Sequence, residues 1–256
     1  MLNPKLDIVP WRPSTDNERE TFYLSKFRSY FYRNASPFVR DIANVSEWAC
    51  IDKNGQFIRG TIGKEIKFES FNQLQEFLLE HSAISAYYGT GNLFTVDIDS
   101  KDVAKYGNCP RHSKFGFGYL KDGSNESLIR QNYIKNIDPH GFPYCFECVS
   151  ISIRGINHIR NILLDIGVKE ENIWIYFSGQ GSHLECNDPQ LIALGRSSRG
   201  FLASYFSASG IPIDKVVTYG ENRVLRIPGS LHGKVNRVKV LLPPGEMFDV
   251  NVTGVI

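Results

Sequence analysis

The stretch FTVDIDSKD, Phe94 to Asp102, ends an apolar run with two carboxylates two residues apart. Leu93, Phe94, Val96 and Ile98 make the run NLFTVDID β-rich, and side chains alternate faces along a strand. Asp97 and Asp99 therefore share one face, and Val96 and Ile98 take the other. Two like charges side by side on a sheet repel. A positive group is expected between them, and a divalent cation is the simplest one. A strand that merely ends in a solvated acidic turn is the plainer alternative, because D-x-D alone is a common pattern.

Outward from this strand the chain mixes helices and strands. AISAYYG, just before it, reads as a second strand. VSEWACI and GQFIRG form a hairpin with Asn54-Gly55 as the turn signal. SFNQLQEFLLEH is a helix, with Ser70 as N-cap, Gln73 three residues on, and Leu74, Phe77 and Leu78 on one face. Asn17 to Asn34 carries Phe22, Tyr23, Phe27, Tyr30 and Phe31 at helical spacing.

Lys101 to Val149 is polar, Gly-rich and irregular. Ile153, Ile156, Ile159, Leu163 and Ile166 then mark a helix that Gly167 stops. NIWIYFSG and SHLEC are strands, ALGRSSRGFLASYFSASG is a helix closed by Gly210, and KVVTY, RVLRI and RVKVLL are strands. Without a strict βαβ rhythm, this mixture predicts an α+β or mixed-sheet fold, with a boundary near residues 80–90.

The 256 residues suffice for one large domain or two small ones. Net charge is only +2, so total charge does not announce a nucleic-acid binder. Its distribution says more. Asn222 to Gly245 holds Arg223, Arg226, Lys234, Arg237 and Lys239 and no acid. Such a strip suits a polyanion, or is a solvated strand face. No 18-residue apolar run exists, so no membrane span is expected, and the N-terminus lacks a signal-peptide core. These features predict an intracellular protein, cytoplasmic and nucleoid-associated. Its five Cys then read as thiols or metal ligands rather than disulfides.

Four of the soft side chains come in close pairs. Cys109 and His112 lie in CPRH, and Cys145 and Cys148 in CFEC. Paired soft ligands at this spacing predict a tetrahedral structural zinc. The segment between the pairs is poor in apolar residues, so a metal would supply the order that a core cannot. His140 is a competing ligand, and two unrelated thiol pairs are the alternative.

Two further stretches suit phosphate. YFSGQGSHLEC is a strand, a Gly-rich turn holding Ser178, Gly179 and Gly181, and a second strand that opens with His183. Taken alone, the stretch is better explained as a hairpin turn with an incidental His. RVLRIPGSLHGKV gathers Arg226, Ser230, His232 and Lys234 around a Pro228-Gly229 turn, and Arg, Lys and His side chains can neutralise or donate to phosphate oxygens. Upstream, Asp214 leads KVVTY and offers a third carboxylate for a two-ion site. An Asp in that setting is otherwise a turn or cap residue.

In order, these pieces resemble the catalytic small subunit of archaeal and eukaryotic DNA primases, within the primase-polymerase superfamily. The order is D-x-D (Asp97, Asp99), the Cys109/His112/Cys145/Cys148 knuckle, Ser178 to His183, the Asp214 segment, and Arg226 to Lys234. It covers roughly residues 20–242. The resemblance implies an α+β primase-polymerase fold: a catalytic sheet like an RNA-recognition module at about 91–242, packed on an N-terminal α/β unit at about 1–90. A zinc-binding insert falls at 101–149, and the whole forms a single catalytic domain over 1–256.

It also implies that Asp97, Asp99 and Asp214 hold two Mg2+ or Mn2+ ions. Ser178, Gly181, His183, Arg226, His232 and Lys234 contact the incoming nucleoside triphosphate, and the zinc is structural. The implied activity is template-directed primer synthesis on single-stranded DNA, with a large regulatory primase subunit or domain as partner. A primase-like repair polymerase and a non-catalytic zinc-containing nucleic-acid-binding module are the alternatives. The glycine turn is one residue shorter than the family form, and Gln180 stands where a basic residue is expected. One phosphate contact is then either lost or supplied from elsewhere, for example by Arg196 or Arg199.

Overall fold

The computed structural model describes residues 12–105, 146–220 and 222–243. Among these the helices are α1 (Asp16–Thr21), α2 (Phe27–Asn34), α3 (Pro37–Arg40), α4 (Phe71–Glu80), α5 (Ser100–Lys105), α6 (Phe146–Asp165), α7 (Pro189–Ile192), α8 (Arg196–Ala208) and α9 (Lys215–Tyr219). The strands are β1 (Trp48–Ile51), β2 (Phe57–Ile58), β3 (Ser85–Gly89), β4 (Phe94–Asp99), β5 (Ile173–Phe177), β6 (Gly181–Cys186), β7 (Val224–Arg226), β8 (Leu231–His232), β9 (Arg237–Val238) and β10 (Val240–Leu241). The fold is α+β with antiparallel sheets. It divides into two units, one from the chain up to Gly89 and again from Val224, the other from Thr90–Arg223.

In the first unit the aromatic residues at helical spacing form the core. Phe22, Tyr23, Phe27 and Phe31 are buried, and Phe27 and Phe31 meet Phe71, at the start of α4, at 5.1 and 5.2 Å between rings. Ser70 caps α4 by accepting the Gln73 N–H. Gly55, in the β1–β2 turn, has φ +81°, a conformation that favours glycine. The sheet runs β2-β1-β3-β8-β9, and β7 also pairs with β3. Gly89 lies opposite Val224 where β3 meets β7.

The basic strip sits in and beside this sheet and is mostly internal. Arg237 and Lys239 are fully buried, and Lys239 Nζ donates to the Arg226 carbonyl at 2.9 Å. Lys234 is exposed. The stretch is therefore neither a solvated face nor a continuous polyanion track. Its cations are largely spent on the fold.

The second unit is built on β4, β6 and β5, with β6 in the middle. The helical run of isoleucines forms α6, and Gly167 follows it at φ +96°. Val96 and Leu184 pair across the sheet, as do Ile98 and Ser182. This apolar face receives α6: a Cβ built on Gly155 would lie 3.1 Å from the Ile98 side chain, and Ser182 Oγ donates to the Ser152 carbonyl.

KVVTY departs from its expected strand and forms α9. Val, Val and Thr favour strands in isolation, but local and tertiary contacts win. Asp214 caps the helix by accepting the Val216 N–H at 3.0 Å. Arg223 closes the other end by donating to the Val217 and Thr218 carbonyls. Lys101 to Val149 is helical where it is described, in α5 and the first turn of α6. The stretch RVKVLL breaks into β9 and β10.

Candidate active site

Register fixes which side chains share the polar face of the second unit's sheet. Asp97 on β4 lies opposite His183 on β6, which lies opposite Tyr176 on β5. One step along, Asp99 faces Gly181, and in the other direction Thr95 faces Glu185. This face is opposite the one covered by α6. Residues directly opposed in an antiparallel pair stand about 5 Å apart at Cβ, so Asp97, Asp99 and His183 form one patch. His183 Nε2 is 3.2 Å from Asp97 Oδ1.

The backbone at the start of helix α9 docks on β4. The Asp214 N–H donates to the Asp97 carbonyl at 2.9 Å. Thr95 Oγ1 donates to the Val217 carbonyl at 3.1 Å, and Arg223 donates both to Thr95 Oγ1 and to the helix end. The helix is thereby tied to β4 at both ends. The Asp214 carboxylate serves as its own helix cap. Among the described residues no group of three or more His, Cys, Asp or Glu side chains is placed to hold a metal ion. As chemical types, three carboxylates are the hard oxygen ligands that Mg2+ and Mn2+ take.

The electrostatics agree. Burial, and then the neighbouring Asp97 charge, raise the Asp99 carboxyl above the ordinary aspartate range, with Lys101 opposing. Asp102, on α5, is pushed up to about 6, by burial first and Asp99 second, with Asp97 and Asp214 adding to it. The sequence reading assigned no role to Lys101 or Asp102. Their signal was present in FTVDIDSKD, as charges one helical turn beyond the pair.

The sign of the Asp102 effect can be tested. Its folded value near 6 lies above the ordinary 3.8, so the fold favours the neutral form. The penalty is absent below 3.8, grows as pH rises through 6, and is complete at pH 7. Asp102→Asn should therefore stabilise the metal-free protein at pH 7 by about 1 kcal/mol, after discounting for solvent screening. At pH 4 it should make almost no difference. Thermal unfolding at the two pH values checks this, and equal shifts at both would contradict it.

The glycine turn divides its labour. Gly179 has φ +102° and makes the turn. Gly181 has no such φ and is required by close approach, since a Cβ there would lie 2.2 Å from the Ile98 carbonyl oxygen. Ser178 is buried and its N–H donates to the Gly181 carbonyl at 3.0 Å, so that donor is committed to the turn. Arg199 does not replace the missing basic residue. It is buried, and its guanidinium donates to the carbonyls of Asn92, Leu93, Leu191, Ile192 and Leu194. Arg196 is exposed, 5.9 Å from the centre of the Tyr219 ring.

Within the first unit, Arg226 is 9% exposed and lies over the Tyr87 ring at 5.3 Å. Its Nε and Nη1 have no hydrogen-bond partner. Buried donors in that state are uncommon in native proteins, and an anion would satisfy them. His232 is also buried, at the Ser85 position of the β3–β8 pair. Of the zinc set, Cys109, His112 and Cys145 lie outside the described residues, as does the alternative ligand His140. Cys148 is a buried thiol in the first turn of α6.

No family model matches the chain. Curated proteins do. A protein of Archaeoglobus fulgidus named "uncharacterized DNA primase small subunit-like protein" is 24% identical over 243 residues, covering 89% of this chain and 83% of its own. The chain resembles DNA primase small subunits. Two proteins named DNA primase small subunit PriS extend the likeness. That of Pyrobaculum islandicum is 22% identical over 80% of this chain and 72% of its own, and that of Pyrobaculum aerophilum 22% over 81% and 74%. The primase likeness thus runs along most of each chain rather than along one motif. Among the described residues no helix is long and apolar enough to cross a membrane.

Proposed function

We propose that this chain is a nucleotidyltransferase of the DNA primase small-subunit kind, joining nucleoside triphosphates into short primers on single-stranded DNA. One observation carries the reading: Asp97 and Asp99 project from one face of β4, with Asp214 docked beside them through its N–H to Asp97. These carboxylates would hold two Mg2+ or Mn2+ ions. When bound, such ions lower the pKa of an attacking hydroxyl and neutralise a leaving pyrophosphate.

The remaining assignments concern the chain's own groups. His183 beside Asp97 donates to a phosphate oxygen. By the primase likeness, Arg226, with its uncommitted donors, and Ser178, Gly181, His232 and Lys234 are the candidate phosphate contacts. Cys109, His112, Cys145 and Cys148 hold a structural zinc, an assignment that rests on their spacing. The likeness to PriS supports a DNA template and a large primase subunit as partners.

Incubation with single-stranded DNA, labelled nucleotides and Mn2+ or Mg2+, without a primer, tests this. New short oligonucleotides that vanish in Asp97→Asn are the expected result. Extension only of an added primer would instead make the chain a repair-type polymerase, or a primase that needs its large subunit to initiate. Binding to DNA without any incorporation would make it a non-catalytic module.

A further inference from the structure

The carboxylate pair is not bare. Lys101 Nζ lies 2.6 Å from Asp99 Oδ2, while Asp97 has His183 beside it. Each acid of the pair thus has its own positive or proton-bearing partner from within the chain. Lys101 sits two residues beyond Asp99 in the first turn of α5, and it also feels Asp102 and Asp97. Its side chain is 63% exposed against 28% for Asp99. The lysine is therefore the outer member, and it can leave without opening the core.

We infer that Lys101 is a built-in counter-ion that occupies Asp99 until a divalent ion displaces it, and that it thereby sets the metal affinity of this chain. The inference rests on the metal-dependent reading above. A single ammonium cannot balance three neighbouring carboxylates, so the patch still attracts a doubly charged ion. That ion must first break the Lys101–Asp99 pair. Half-exposed pairs of this kind are weak, so the lysine lowers metal affinity without abolishing it. In the metal-free protein the same contact reduces the repulsion that burial and Asp97 impose on Asp99. Lys101 thus favours the empty site and disfavours the filled one, a combination that a purely structural lysine would not produce.

The test is Mn2+ binding to the full chain, read from the electron paramagnetic resonance signal of free Mn2+. Wild type is compared with Lys101→Gln, Lys101→Arg and Asp99→Asn. Lys101→Gln should bind Mn2+ roughly two- to five-fold more tightly and unfold at a lower temperature without metal. Lys101→Arg, which keeps the charge, should return both quantities toward wild type. Asp99→Asn should bind less Mn2+ than wild type. Unchanged or weaker binding in Lys101→Gln, with Asp99→Asn still impaired, overturns the counter-ion role and leaves the metal reading intact. Equal binding by wild type and Asp99→Asn overturns the metal reading, and the counter-ion role with it.

Discussion

Asp99→Asn is expected to abolish nucleotide joining, by roughly a thousand-fold or more, and at the same time to stabilise the metal-free protein at pH 7. The two effects share one cause. On the metal-dependent reading proposed above, removing a ligand carboxylate weakens the hold on an ion that would supply several kcal/mol of charge stabilisation to the transition state, and each 1.36 kcal/mol is a factor of about ten in rate. The same carboxylate is a burden to the empty fold. Burial and Asp97 raise its pKa despite the Lys101 contact, so its ionisation opposes folding. The sign follows directly. The folded value lies above the ordinary 3.8, the penalty is absent below that pH, and it develops as pH rises. The gain from Asn should therefore be largest near neutrality and fade in acid. Primer synthesis assays paired with thermal unfolding at several pH values measure both. A variant that is inactive but less stable at pH 7 would show that Asp99 holds the fold together rather than straining it.

Gly181→Ala should lose both quantities. The added methyl would meet the Ile98 carbonyl oxygen at 2.2 Å and the Asp99 Cα at 3.0 Å. These are backbone atoms of the neighbouring strand, and they cannot swing aside as a flexible side chain can. Relief requires β6 to separate from β4 at the pair that holds Asp99. Overpacking of this kind costs about 3 kcal/mol, and Asp99 would move with the strand. A lowered denaturant midpoint together with lost synthesis is the expected outcome. Wild-type stability would refute the close approach of β4 and β6 at Asp99. The pair of variants thus separates two ways of losing activity, one by removing a charge that strains the fold and one by forcing the fold apart.

Much of this was legible in the chain. The shared face of Asp97 and Asp99 followed from the two-residue period of a strand, and the helices with strong apolar periodicity stand where their spacing put them. Ser70 and Gly167 act as the cap and stop that their residue types suggested. Other features depend on contacts distant in sequence. Helix α9 overrides the β preference of KVVTY through Asp214 and Arg223. The burial of Arg237 and Lys239 is invisible to a charge count, because a cation facing carbonyls inside a sheet reads the same as one in water. Arg199 looked available for phosphate and is instead consumed by five carbonyls. Lys101 opens a stretch that composition alone marks as irregular, yet it lies in the first turn of the helix that carries it back to Asp99.

The pairing of Gly89 with Val224, and of the Thr90 N–H with the Arg223 carbonyl at 3.0 Å, has a topological consequence. Residues 90–223 leave and re-enter the chain through one pair of adjacent strands. All three candidate metal carboxylates lie inside that excursion. It has the form of a cassette, with entry and exit side by side, and such segments are tolerated as insertions because closing their ends disturbs the host little. A loop as short as a hairpin turn would bridge the gap it leaves between β3 and β7. The acidic chemistry and the Arg226 strand are thus separable at the level of the polypeptide, each carried by its own stretch of chain and open to exchange as a block.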